Sequence, residues 1–162
     1  MSDYKYFLDN GIYSIQDGKY TEAIDLINKS LELKNDWEIP YFYRAVANQA
    51  LENFDDAILD YTKALQLNPK MTDAYYNRAK ILLLRKDIEA PDLNRAINDL
   101  EKALELDPKF VDALYAMGAA QKKVENYHKA LEYLNRAIEV QPDHIFAKAL
   151  QKLILTKYLK EL

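Results

Sequence analysis

Small residues return along this chain at a fixed interval, and no other feature of the sequence limits its fold so tightly. Ala23, Ala57, Ala96 and Ala130 are separated by 34, 39 and 34 residues, and Gly11, Ala45, Ala79 and Gly118 by 34, 34 and 39. A period of this length is the mark of stacked supersecondary units. The longer interval falls at a different step in the two series, which places five extra residues between Ala79 and Ala96. The copies can also be read directly, since the stretch 56–69 recurs as 95–108 and 129–142, with a worn copy at 22–35 where Asn35 stands in place of proline. The spacing therefore predicts four repeats, at 4–37, 38–71, 72–110 and 111–144, and a last helix over 145–162, all within a single domain spanning 1–162.

Within each repeat, apolar residues recur three and four apart, which is helical spacing. Only 3 glycines and 5 prolines interrupt the 162 residues. Two helices per repeat follow, the first ending in a polar turn such as 16–19 or 125–126, the second before a proline. The small residues let the two antiparallel helices approach closely. Phe7, Tyr41, Tyr75 and Leu114 on first helices then fill the layer beside them, with Tyr20, Phe54, Leu93 and Tyr127 at the turns and Ile27, Tyr61, Leu100 and Leu134 on second helices. One pair cannot bury these faces alone, whereas stacked pairs can, so an elongated array is favoured over a bundle.

The pattern of aromatic, glycine or alanine, alanine and proline over 34 residues resembles the tetratricopeptide repeat, and the resemblance covers about residues 4–144. It implies an all-α fold, a right-handed α-solenoid of antiparallel helix pairs, with the helix at 145–162 as its cap. Departures from the family pattern are Asn10, Arg44 and Arg78 in place of leucine, Asn35 in place of proline, and the insertion in the third repeat. The resemblance also implies that first helices line a concave surface where a partner protein or peptide binds.

In the second repeat, Tyr41, Ala45 and Asn48 serve the helix pair, which leaves a second stripe of Ile39, Phe42, Tyr43 and Val46. Equivalent positions hold Leu8, Asp9 and Ile12, then Tyr76, Asn77 and Lys80, then Tyr115, Ala116 and Ala119. The expected partner-binding residues are Leu8, Ile12, Ile39, Phe42, Tyr43, Val46, Tyr76, Asn77, Lys80 and Tyr115, an apolar strip with polar tips suited to an amphipathic helix or extended peptide. The competing reading is that these side chains pack between neighbouring first helices and complete the core. Some family members grip acidic chaperone tails with lysine, asparagine and arginine. Those positions fall here on Leu8, Ile12, Tyr43, Asp73 and Asn77, or one repeat later on Phe42, Val46, Asn77, Asp112 and Ala116, and only Asn77 fits.

Other chemistries find little support. The 22 basic side chains are outnumbered by 26 acidic ones, which disfavours nucleic acid as a partner. With no cysteine, no thiol nucleophile or disulfide can form, and His128 and His144, expected at the surface, lack metal-ligand spacing. No glycine-rich phosphate loop occurs, and carboxylates such as Glu101 and Glu105 read as a solvated helix face. No catalytic residue, metal or cofactor is expected. Neither a membrane span nor an apolar leader is seen, so a cytoplasmic protein is the expectation.

Two segments stand apart. The insertion 85–92 offers either a second contact site on a lengthened connection or, as the favoured expectation, an added helical turn with Pro91 near the start of the next helix. In the last helix, Ala149, Leu150, Leu153 and Ile154 are expected to cover the fourth repeat, while Leu155 and Leu159 lie off that stripe. The leading expectation is thus a protein-binding adaptor or scaffold. The alternative is a structural subunit that self-associates through its terminal helices.

Overall fold

The structure, a computed structural model, describes residues 3–84 and 90–158. Among the described residues it is all-α, with helices α1 (Asp3–Gln16), α2 (Tyr20–Leu33), α3 (Glu38–Ala50), α4 (Phe54–Leu67), α5 (Thr72–Leu84), α6 (Ala90–Leu106), α7 (Val111–Lys123), α8 (Tyr127–Val140) and α9 (Ile145–Lys157). They fall into two compact units, Met1–Ile81 and Leu82–Leu162.

In the N-terminal unit, α1 packs on α2, α3 on α4, and α2 on α3. Gly11 shows why the period demands a small residue. A Cβ there would sit 2.7 Å from Ile27 Cγ1 and 3.3 Å from the Ala23 carbonyl oxygen, so the glycine presses against the second-helix alanine of its own repeat. Ala45, Ala57 and Tyr61 occupy the corresponding places one repeat on, all fully buried in a cluster with Leu65, Ala74 and Ile81. In the C-terminal unit, α7 packs on α8 and α9 on α8, with a narrower contact between α7 and α9. Gly118 repeats the geometry of Gly11, its missing Cβ falling 2.7 Å from Leu134 Cγ and 3.3 Å from the Ala130 carbonyl oxygen.

Among the described residues, the turn between paired helices is one device seen three times. Gly18, Glu52 and Glu125 occupy the same position and adopt φ of 75°, 61° and 60°, the left-handed region. The next backbone N–H, on Lys19, Asn53 and Asn126, donates back to the carbonyls of Ser14, Asn48 and Gln121 at 2.8 to 2.9 Å, which closes each first helix with a Schellman motif. Between repeats, Asn68 and Asp107 play matching parts, each side chain accepting from the backbone N–H two residues on, at 3.0 Å.

Arg44 and Arg78, which depart from the family pattern, act as polar rungs between repeats. Arg44 donates to both carboxylate oxygens of Asp60 at 2.8 and 2.7 Å and to Asn28 Oδ1 at 2.6 Å, so it ties α3 to its own partner helix and to the preceding repeat. The carboxylate holds the half-buried guanidinium's pKa above its usual range, the hydrogen bond outweighing desolvation. Arg78 reaches Thr62 at 2.9 Å in the same way, and in the C-terminal unit Gln151 reaches Asn135 at 2.6 Å.

Three expectations need correction. His144 is buried, not at the surface: it is the N-cap of α9, its Nδ1 accepting from the Ala147 backbone N–H at 3.1 Å while its ring lies against Tyr115. The covering stripe of α9 is Ala147, Leu150 and Ile154, whereas Ala149 and Leu153 are exposed. The reason is register: α9 holds the place of a first helix, and Ala147 and Ile154 fall one repeat beyond the buried Ala113 and Ala120. The third correction concerns Leu8, which lies in the core and is taken up with the surface below. Of the insertion, 85–89 lie outside the described residues, as does Leu159. Pro91 is the second residue of α6, which begins three residues earlier than the repeat predicts from Leu93.

Candidate protein-binding surface

In the N-terminal unit the second stripe belongs to α1, α3 and α5. Leu8, at its start, is only 2% exposed and packs with Ile27 and Leu31, so it is a core residue and cannot present a surface. Ile12, Ile39 and Tyr43 pack partly against that same cluster, while Phe42 and Val46 pack against the cluster around Tyr61. The Phe42 ring meets Tyr61 at 5.8 Å and Tyr43 at 5.4 Å, both edge to face. Tyr76 and Asn77 are half-buried, and Lys80 is exposed. For Ile12, Ile39, Phe42, Tyr43 and Val46 the two readings therefore divide the side chain: the inner portion completes the core and the remainder faces outward.

What these residues enclose is a hollow of about 320 Å³ lined by Ile39, Phe42, Tyr43, Lys70, Met71, Thr72 and Asp73. Three of the expected residues meet here. Lys70, Met71 and Thr72 come from the turn and first residue leading into α5, which periodicity on first helices does not reach. Asp73 follows on α5, one repeat after Ile39, so the repeat spacing could have found it. Behind Phe42, whose ring it meets, Tyr61 has no exposed surface, donates its hydroxyl to Gln49 Oε1 at 2.9 Å and shares a hydrogen bond with Asn77. Burial pushes the Tyr61 hydroxyl pKa well up, with the Asn77 bond opposing it, so it stays protonated.

In the C-terminal unit Tyr115 is half-buried, its ring 5.3 Å from His144 and 6.3 Å from the exposed Phe146. Among the described residues no cluster of histidine and carboxylate side chains could hold a metal ion, and no helix is long and apolar enough to cross a membrane.

This geometry is that of a helical repeat module with a grooved face, and the comparisons give it a family. Patterns described as tetratricopeptide repeat and TPR repeat match residues 39–71, 111–144 and 91–124, together more than half of the chain. The chain belongs to the tetratricopeptide-repeat family, whose members are interaction modules. Human tetratricopeptide repeat protein 12 is 32% identical over 79 residues, 49% of this chain, which spans only 11% of that relative's length. Among solved structures, the first TPR of Spaghetti (RPAP3) bound to the HSP90 peptide SRMEEVD is 27% identical, covers 76% of this chain and 94% of that one, and superposes with a TM-score of 0.69. MamA from Desulfovibrio magneticus RS-1 is 19% identical, with 99% and 93% covered and a TM-score of 0.82, a likeness of fold.

Proposed function

We propose that the chain is a non-catalytic adaptor that binds a peptide or helix of a partner protein on the first-helix face of its N-terminal unit. The observation that carries this reading is the hollow between α3 and α5, apolar through Ile39, Phe42, Tyr43 and Met71 and edged by Lys70 and Asp73. It offers room for one large apolar side chain, with charges at the rim to set orientation. That a related TPR domain is solved with a peptide bound supports a peptide as ligand. An acidic chaperone tail is not the ligand proposed, since the positions for its cationic grip hold Leu8, Ile12, Tyr43 and Asp73.

The test is capture of a partner from native lysate by wild type and by the pair Asp73→Arg with Lys70→Glu. Both side chains are exposed, so the fold is kept while the rim changes sign. Loss of the captured protein supports the reading. Undiminished capture by the pair, alongside loss on Leu59→Ser in α4, would move the site to the second helices.

A further inference from the structure

Sulfur is scarce in this chain and unevenly placed. There is no cysteine, and the methionines are Met1, Met71 and Met117. Met1 lies outside the described residues. Met117 is fully buried, and its sulfur accepts from the buried Gln121 Nε2 at 3.7 Å. Met71 is half-buried and forms part of the wall of the hollow between α3 and α5, beside Ile39, Phe42 and Tyr43. Its repeat position, the residue just before a first helix, holds Trp37, Phe110 and His144 elsewhere, so a thioether stands where the other junctions carry rings.

A reachable thioether is the side chain a peroxide attacks by oxygen transfer when no thiol competes for it. With hydrogen peroxide the sulfur donates an electron pair to one peroxide oxygen, the O–O bond breaks, and the other oxygen leaves as water with both protons. The thioether is oxidised to a sulfoxide and the peroxide is reduced. What was a flexible apolar side chain then carries a strong hydrogen-bond acceptor.

The surroundings of Met71 decide where that acceptor goes. The main chain is fixed, because the Met71 carbonyl accepts from the Ala74 and Tyr75 backbone N–H groups at 3.1 and 3.3 Å and so starts α5. The side chain packs against the cluster that holds Ala45, Tyr61 and Ala74. Lys70 and Thr72, its two neighbours in sequence, line the same hollow and bring an ammonium and a hydroxyl donor to it. A sulfoxide oxygen formed there has donors within the hollow as well as outside it. An apolar side chain entering the hollow would have to strip that oxygen of its bonds, which is costly.

We infer that Met71 is an oxidation site for hydrogen peroxide, and that its sulfoxide closes the hollow to an apolar side chain. The inference rests on the binding proposed at that hollow. The modification is reversible by methionine sulfoxide reductases, which convert two thiols to a disulfide while the sulfoxide oxygen leaves as water.

The test places a photoreactive residue at position 43 and exposes the full chain to dilute hydrogen peroxide, with samples quenched by catalase over time. One part of each sample is digested and its peptides are weighed. The other is irradiated in native lysate and its adduct yield is measured. Met71 gains one oxygen atom before Met117 does, and the adduct yield falls in step with Met71 conversion, about tenfold at completion. Methionine sulfoxide reductases with a thiol reductant restore the yield, and helical circular dichroism is unchanged throughout. Conversion of Met117 ahead of Met71 overturns the inference, as does a loss of adduct that follows Met1 instead. So does reduction of Met71 that leaves the adduct unrestored, or helicity lost on oxidation, which would make Met71 a packing residue alone. An adduct that survives full conversion of Met71 defeats this inference and leaves the binding reading standing, whereas no adduct before peroxide is added defeats both.

Discussion

One helix pair of the N-terminal unit, α3 and α4, and one of the C-terminal unit, α7 and α8, fill one repeat position with opposite chemistry. In the first, Arg44 is clamped by Asp60, itself only 6% exposed. In the second, the position of Arg44 is taken by fully buried Met117 and that of Asp60 by Tyr133. The repeat thus fixes where a side chain must reach between helices, and leaves open whether it reaches by charge or by apolar contact. The ionic solution ties two residues to each other, because neither ion can be left alone in the interior. The apolar one lets each residue change separately.

The largest effect should come from breaking that tie. Arg44→Met is expected to destabilise by about 3 kcal/mol, because it strands the Asp60 carboxylate. Adding Asp60→Tyr, which copies the C-terminal unit, should recover most of the loss, and a double-mutant cycle in urea measures the coupling. If the double variant is no more stable than Arg44→Met, the two solutions are not interchangeable.

Next comes the close approach. Gly118→Val should cost about 1–3 kcal/mol by overpacking against Leu134 and the Ala130 carbonyl, and Gly11→Val about as much against Ile27 and Ala23. Lys152→Val, at the same repeat position on α9, should change the melting temperature little, since the side chain is exposed. A smaller effect of opposite sign is expected at the turns. Glu52→Gly and Glu125→Gly should each stabilise by about 0.5–1 kcal/mol, because glycine occupies positive φ without the Cβ clash, whereas Gly18→Ala should destabilise by a similar amount. Thermal melts of the three variants read this directly.

These comparisons also mark how far the sequence could be read. Helix pairing was legible because it depends on one property, side-chain size, recurring at one period. The turns at 16–19 and 125–126 were legible as polar breaks; glycine at position 18 suits the left-handed backbone found there, but at Glu52 and Glu125 the same backbone is imposed by the motif and carries no residue signal. The surface was legible only in part. Leu8 and Phe42 share a repeat position, yet the shorter Leu8 is engulfed while Phe42 rests its ring on Tyr61 and is only partly covered. Position in the repeat sets direction, and side-chain length and neighbours decide exposure. On α9 both faces are apolar, so helical spacing alone could not choose between them. Ala113 and Ala120, carried one repeat forward to Ala147 and Ile154, would have chosen correctly.

The proposed function rests on a partner meeting the first-helix stripe of the N-terminal unit, and site-specific photo-crosslinking tests that most directly. A photoreactive residue placed at Tyr43, beside the hollow, is compared with one at Leu59, which is 67% exposed on α4. The account predicts a partner adduct from position 43 and none from position 59. An adduct from position 59 alone would contradict it.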